Sequence, residues 1–500
     1  MMLALQTRSL PALTQPTIVV VAVLYFAVVA AIGVWASRRT RTANDFFIAG
    51  QGIGLATLAI AAMAATLSGF AFIGGPGLIY TLGLGAIFIV LPAGLTNTMT
   101  AWVLAKKMRL LGEARGLITI PDAVGARYDS RLAQGLAAVS MLVAIIGYMA
   151  TNILALGLVI DAIFGIGLTW SIWLGMGITL AYSVAGGILA GVYTDVFQGL
   201  LMALASVLVF LTALDVGGGL SGISRTIAAA DPGFLSPWGK LSPLAALSFF
   251  FVFGLGALGQ PHVVHKFYML KDPRRLKWYP ALMTAALAIT LLLYFSVGVA
   301  VKALSVRGEI ALSAADDATP TFLLNFTPVL LAALVFSGVV AAIMSTVNSF
   351  MNIGAAALTH DLPVAFGTRV QNELRVGRIA TVLLSLIAAL TAQFSGALVA
   401  FLGIFGWGLF ASTLVPALAI GLNWEGATRE GAVASITTGL AATLLFETLA
   451  YFKVYSFPAG VTVSGLSLVL SFLVFFVVSW LTRARARHQL APDVRLIMEA

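Results

Sequence analysis

There is no cysteine anywhere in the 500 residues, and charged side chains are scarce at 9%. The first absence removes disulfides, thiolate nucleophiles and thiolate metal sites together. The second removes a soluble domain, in which about a quarter of the residues carry charge. Histidine is also rare, with four in the chain, and neither a His-Glu-x-x-His helix nor a Gly-x-Ser-x-Gly elbow is present. Without a metal-ligand cluster or an acid–base pair, the chain does not read as an enzyme. What fills the sequence instead is apolar: 60% of residues are hydrophobic and the mean hydropathy is +1.03. The apolar runs are about 20 residues long and lack strand alternation, so they read as helices crossing a hydrocarbon core of roughly 30 Å.

About 13 spans are expected, at 16–37, 52–78, 81–105, 133–161, 168–185, 192–214, 243–263, 279–302, 327–358, 376–396, 398–422, 431–452 and 460–482. With the N-terminus outside, about 22 of the 28 Lys and Arg fall on one side. They gather in Arg38-Arg39-Thr-Arg41, Lys106-Lys107-Met-Arg109, Lys271-Asp-Pro-Arg-Arg275 and Arg483-Ala-Arg-Ala-Arg487. Arg8, Arg225 and Lys453 are among the few on the other side. This bias accounts for the net charge of +9 and pI near 9.8. No nucleic-acid partner is therefore expected, and nothing points to an obligate protein partner. The first span lacks a small-residue cleavage site and reads as a retained helix. An odd span count places the C-terminus in the cytoplasm, in a bacterial-type inner membrane.

Glycine and proline interrupt two of the runs. Gly69, Gly74, Gly75, Pro76 and Gly77 weaken the helix over 64–77, and Gly254, Gly256, Gly259 and Pro261 do the same over 253–262. A helix broken near the midplane bares carbonyl oxygens, which transporters use to hold Na⁺ or substrate. Small residues that merely let helices approach are the alternative. The two breaks lie five spans apart, an offset that reverses orientation as an inverted repeat requires. The single transmembrane domain, 1–500, then divides into a leading helix 16–37, repeats 52–214 and 243–422, two trailing helices within 431–482 and a tail 483–500.

Polar side chains at membrane depth need partners, because hydrocarbon offers none. Ala342, Ser345, Thr346 and Ser349 share one helix face at i, i+3, i+4 and i+7. Two adjacent hydroxyls there suit a dehydrated hard cation, although hydroxyls also bond back to their own helix. Asp195 is the one acid placed clearly within a span and away from its outer rim. A carboxylate at that depth suggests function, whereas an Asp at a helix start would be favoured by the dipole alone. Tyr148, Thr151 and Asn152 face protein or a cavity rather than lipid. His262 and His265 lack a third ligand and suit hydrogen bonding better than metal.

Four stretches together resemble the sodium:solute symporter family, which contains proline, pantothenate, sialic acid and sodium–glucose transporters. They are Gly186-Gly187 with Tyr193-Thr-Asp-Val-Phe-Gln198, Gly259-Gln-Pro-His262 followed by Lys271-Asp272, Ala342-Ile-Met-Ser345-Thr346, and Trp424-Glu-Gly-Ala-Thr428-Arg-Glu-Gly-Ala432. The resemblance covers roughly 40–440. It implies an all-α polytopic membrane protein with a leucine-transporter-like core of five plus five inverted helices, one helix before and two after. It also implies a Na⁺ site from the carbonyls of Ala64, Leu67 and Ala342 and the hydroxyls of Ser345 and Thr346. Asp195, Asn348 and Ser349 match positions that form a second Na⁺ site or exit path in some members, several of which carry a hydroxyl residue where Asn348 stands.

The implied substrate pocket comprises Thr66, Phe70, Tyr148, Asn152, Phe253, Ala257 and Gln260. Proline transporters resemble the chain at Tyr148 but carry Trp in place of Phe253, Tyr in place of Ala257 and Asp in place of Thr66. Each difference removes a polar handle or opens volume, so the pocket reads as larger and more apolar than a proline site. The expected function is Na⁺-coupled symport of a small organic solute by alternating access, amino acids and carboxylates being favoured. Na⁺ is the coupling ion and no other cofactor is expected. Proton coupling through a solitary Asp195 is the alternative. A non-transporting sensor is a remote one, because the stretch after 482 is too short for an output domain.

Overall fold

The computed structural model describes residues 16–396, 399–458, 460–484 and 490–499. Regular structure in them is helical apart from one isolated bridge between Ile53 and Leu270. The elements used below are α1 (Pro16–Ser37), α2 (Leu55–Thr66), α3 (Gly75–Leu82), α4 (Ile87–Thr100), α5 (Ile120–Tyr128), α6 (Arg131–Phe164), α7 (Leu168–Gly217), α8 (Pro243–Gly256), α9 (Tyr279–Val306), α10 (Val329–Ala356), α11 (Glu373–Phe394), α12 (Val399–Leu414), α13 (Arg429–Tyr451), α14 (Val463–Leu481) and α15 (Pro492–Glu499). Among the described residues, 11 helices are long and apolar enough to cross a membrane, with two shorter apolar helices, Leu55–Thr66 and Leu168–Ala181, besides.

The expected spans 168–185 and 192–214 are two helices that meet directly at a kink, with no loop between them. They form α7, a 50-residue element that bends at Gly187, where φ is 57° and ψ is −149°. That conformation is essentially reserved for glycine, and a methyl at Gly187 would meet the Phe46 ring at 2.5 Å. The bend is thus specified by one residue. Asp195 consequently lies two turns inside a helix and is fully buried, not at a helix start.

Helices α6 and α10 are buried along most of their length, whereas α1, α11, α13 and α14 keep one apolar side exposed. The bundle therefore has its polar interior between α2, α6, α7, α8, α10 and α12, surrounded by helices with lipid-compatible outer faces.

Backbone contacts join the two interrupted helices at both ends. At the arginine- and lysine-rich end, the Ile53 amide donates to the Met269 carbonyl at 3.0 Å and the Lys271 amide to Ile53 at 2.9 Å. Arg109 Nε reinforces the same place by donating to the Leu270 carbonyl at 2.7 Å. At the opposite end the Lys240 amide donates to the Leu82 carbonyl at 2.8 Å. The basic end is closed further by Arg127, which follows α5's buried face and donates to the carbonyls of Gly421 and Trp424 at 2.6 and 3.0 Å. These carbonyls lie past the end of a helical run and have few other donors.

Candidate functional site

Both interruptions anticipated from glycine and proline are present. Helix α2 stops at Thr66, Leu67 is extended (φ −85°, ψ 95°), and a π-helical turn, Phe70–Gly74, leads into α3. In a continuous helix the amides of Gly69, Phe70 and Ala71 would bond to the carbonyls of Ala65, Thr66 and Leu67. Here they turn to Asn152 Oδ1 at 2.8 Å, Ser68 Oγ at 3.2 Å and the Ser68 carbonyl at 2.9 Å. Three carbonyls are thereby released from the ladder at the centre of the bundle. The second interruption has Gln260 extended (φ −73°, ψ 110°) before Pro261, which has no amide proton to give.

The Ser345–Thr346 turn of α10 meets the first break. Thr346 Oγ1 donates to the Ala65 carbonyl at 2.8 Å and to Ala342 at 3.1 Å. Ser345 Oγ is equally buried and has no hydrogen-bond partner among the described residues. Of the residues expected around an ion, Thr346 and Ala342 are thus in contact with each other and with the turn that contains Ala64 and leads to Leu67. A hydroxyl left unbonded in a dry interior costs free energy unless something else engages it.

Asp195 is not solitary. Lys266 Nζ lies 2.8 Å from Asp195 Oδ2, with side-chain exposures of 1% and 0%. The expected span ended at 263, three residues before Lys266. In the structure the span continues through the helical turns Pro261–Val264 and His265–Met269, so the lysine stays inside the bundle and reaches the carboxylate from 71 residues away. This removes the motive for proton coupling through an isolated acid. The Ser345 hydroxyl lies beside the same carboxyl without closing a hydrogen bond to it. Asn348 receives Ser183 Oγ on its oxygen at 2.5 Å, and Ser349 Oγ is buried without a partner among the described residues.

The expected pocket residues do not all gather in one place. Phe70, Tyr148 and Phe253 come together in an aromatic cluster. Phe70 stacks on Phe253 with centroids 5.8 Å apart, and Phe253 stacks on Trp407 at 5.2 Å. Tyr148 packs edge-on against Phe350 at 5.2 Å, and His262 does the same at 4.9 Å. Ala257 and Gln260 are fully buried at the second break, where Gln260 Nε2 donates to the Gly256 carbonyl at 3.1 Å. Asn152 has a framework role, holding the Gly69 amide and donating to the Tyr148 carbonyl at 2.8 Å. Thr66 turns back onto its own helix, donating to Ala62 at 2.8 Å.

Trp407 and Phe350 were missed by sequence reading, and His262 was read as a hydrogen-bonding residue without being placed in the pocket. Trp407 belongs to a stripe on α12, Gly403, Gly406, Trp407 and Phe410, at i, i+3, i+4 and i+7; that spacing was the available signal. The glycines permit the approach: a methyl at Gly403 would meet the Phe70 ring at 2.7 Å. Trp407 Nε1, Gln260 Oε1 and both His262 ring nitrogens are buried without partners among the described residues. A cavity of about 340 Å³ lies toward the less basic end, lined by Gly77, Leu82, Phe249, Asp316 and Phe401. A larger apolar cavity of about 580 Å³ lies between α8 and α14, and none of these polar atoms lines it.

The sequence profile of the sodium:solute symporter family matches residues 46–439. The chain is 27% identical over 473 residues to the osmoregulated proline transporter OpuE of Bacillus subtilis (strain 168), covering 93% of this chain and 94% of that one. It is 28% identical over 485 residues to the sodium/pantothenate symporter of Escherichia coli (strain K12), covering 93% and 96%. Among solved structures, a Na⁺-coupled sialic acid symporter in a substrate-bound outward-open state superposes with a TM-score of 0.79 at 20% identity, covering 94% of this chain and 97% of that one.

Proposed function

The chain belongs to the sodium:solute symporter family, and from that premise we propose that its first broken helix and the Ser345–Thr346 turn form the ion site that drives uptake. As a member of this family it is a multi-pass secondary transporter that couples Na⁺ to a small organic solute, not an enzyme. Na⁺ takes the carbonyls of Ala64, Leu67 and Ala342 and the hydroxyls of Ser345 and Thr346. One observation carries the assignment: the released Ala65 carbonyl, two residues before the extended Leu67, meets a turn on which one hydroxyl is bonded and its neighbour is not. Five neutral oxygens suit a small hard cation.

The solute sits at the aromatic cluster between the two breaks. Stacked rings supply an apolar slot, while Trp407 Nε1, Gln260 Oε1 and His262 offer a few free polar contacts. So few groups favour an amino acid or small carboxylate over a sugar with many hydroxyls. The relatives named for proline and pantothenate fall in this range. The basic end faces the cytoplasm and the N-terminus lies outside. The breaks mark the first helices of two inverted five-helix repeats, preceded by α1 and followed by α13 and α14. The bundle carrying the breaks rocks against the rest around the central site.

Na⁺ braces the first break against α10 and so orders the solute slot, which makes the two ligands bind with reciprocal positive coupling. A single Na⁺ crossing 100 mV supplies about 2.3 kcal/mol. A tenfold gradient adds about 1.4 kcal/mol, and the sum supports an accumulation of roughly 500-fold. The test is a thermal-shift screen of purified protein over amino acids, monocarboxylates, vitamins and sugars, in Na⁺ and in K⁺ at equal ionic strength. A compound that stabilises only with Na⁺ identifies the solute class. Equal stabilisation in K⁺ would overturn the ion assignment.

A further inference from the structure

The Asp195–Lys266 pair takes no part in the contacts assigned above, yet it borders them. Both side chains are buried, with Nζ 2.8 Å from Oδ2. Asp195 Oδ1, Ser345 Oγ and Ser349 Oγ are also buried, and none has a hydrogen-bond partner among the described residues. Ser345 and Ser349 are one turn apart on α10, against which α7 packs so closely that a methyl at Gly191 would strike the Asn348 amide nitrogen. Gly191 is one turn before Asp195, which brings the carboxylate to that serine face.

A carboxylate withdrawn from water requires a cation beside it, because an unpaired buried charge is strongly unfavourable. Unbonded oxygens around a carboxylate are the donor chemistry of a hard monovalent cation. In this chain the compensating charge is an ammonium projecting from the segment beyond the second break. We infer that Lys266 is a tethered cation: it holds the place beside Asp195 that a second coupling Na⁺ would otherwise take, and it thereby limits the protein to one Na⁺ per cycle. A charge fixed to the chain adds no driving force, since it is never released down a gradient. It also ties the second broken helix to α7 without depending on the external Na⁺ concentration.

This inference rests on the Na⁺ reading above, and the experiment separates the two. Equilibrium binding of radiolabelled Na⁺ to the purified full-length protein is measured with no solute present, for the wild type, Lys266→Met and the double variant Lys266→Met/Asp195→Asn. The expected counts are one Na⁺ in the wild type, two in Lys266→Met, and one in the double variant, where both charges are gone. A second readout is the slope of thermal stabilisation against the logarithm of Na⁺ concentration above saturation, which doubles when a second ion is bound. Two ions in the wild type would overturn the tethered cation while leaving Na⁺ coupling intact. One ion in a folded Lys266→Met would do the same. No Na⁺ bound to the wild type would overturn the coupling reading and this inference with it. If Lys266→Met does not fold, the wild-type count still decides.

Discussion

Ser345→Ala removes a hydroxyl that the fold itself does not use, so its two effects should run in opposite directions. Ser345 Oγ is buried and unbonded. An unbonded buried hydroxyl costs about 1–3 kcal/mol in protein mutational data. In K⁺, therefore, the variant should be at least as stable as the wild type, the gain being trimmed by the small void left behind. In Na⁺ the reverse applies. A contact to a charged group is worth about 1.5–3 kcal/mol, so Na⁺ should bind about 10–150-fold more weakly. With Na⁺ at 100 times the wild-type Kd, a 30-fold loss would cut the stabilisation from about 2.7 to about 0.9 kcal/mol.

Thr346→Val provides the contrast. Its hydroxyl is bonded to Ala65 and Ala342, and losing it strands the Ala65 carbonyl at a cost of about 1–3 kcal/mol. The two variants should thus agree on Na⁺ and disagree on stability. Thermal unfolding of purified protein, first in K⁺ and then along a Na⁺ titration at constant ionic strength, measures both. Should Ser345→Ala titrate Na⁺ with the wild-type midpoint, the hydroxyl is no ligand and the argument fails.

Other expectations follow from the same geometry. Gly187→Ala should destabilise by about 1–3 kcal/mol from backbone strain alone, with the Phe46 clash added, and thermal unfolding reads the sum. Asn152→Ala frees the Gly69 amide in a buried place and should cost about 1–3 kcal/mol while weakening Na⁺ binding through the loosened break. Once a solute is identified, Trp407→Phe should preserve the stacking yet lower solute affinity by roughly tenfold, the worth of one hydrogen bond; unchanged affinity would remove Nε1 from the site. The Arg115 guanidinium beside Asp493 holds that carboxyl below its ordinary range, with both Asp493 oxygens 2.7 Å from guanidinium nitrogens. A depressed carboxylate contributes stability above the unfolded pKa of 3.8 and loses it as pH falls through the folded value. Docking of α15 should therefore persist at pH 5 and be lost only below the ordinary carboxylate range. Hydrogen exchange of 492–499 tests this, and high salt should loosen the pair by screening.

The parts of the site legible in the sequence were those written as local chemistry. Glycine and proline density marked both breaks, because a missing side chain or a missing amide acts within a few residues. Ser345 and Thr346 were legible for the same reason: one helix face holds both. Asp195 was visible, but Lys266 was not linked to it. Their pairing depends on helical turns that carry the span past Pro261 to Met269, beyond the expected end at 263. Trp407, and the place of His262 in the aromatic cluster, were hidden differently. An aromatic stripe beside glycines resembles ordinary helix packing until the opposing rings of Phe70, Phe253 and Tyr148 are in place. The two helices within α7 were legible, but the gap left between 185 and 192 was too wide, because a Gly-Gly pair reads as a loop whereas only Gly187 departs from helical geometry.

The backbone pairings at Ile53–Met269 and Leu82–Lys240 have a mechanical consequence. Each interrupted helix is a bar with a joint near its middle, one at Leu67 and the other at Gln260, and the two bars are fastened together at both ends. Such a figure is a closed linkage. If one joint flexes, the other must flex by a matching amount or a fastening must part. An angular change that begins at the ion beside Leu67 is thereby geared directly to the segment that carries Gln260 and His262, with no relay of side chains in between.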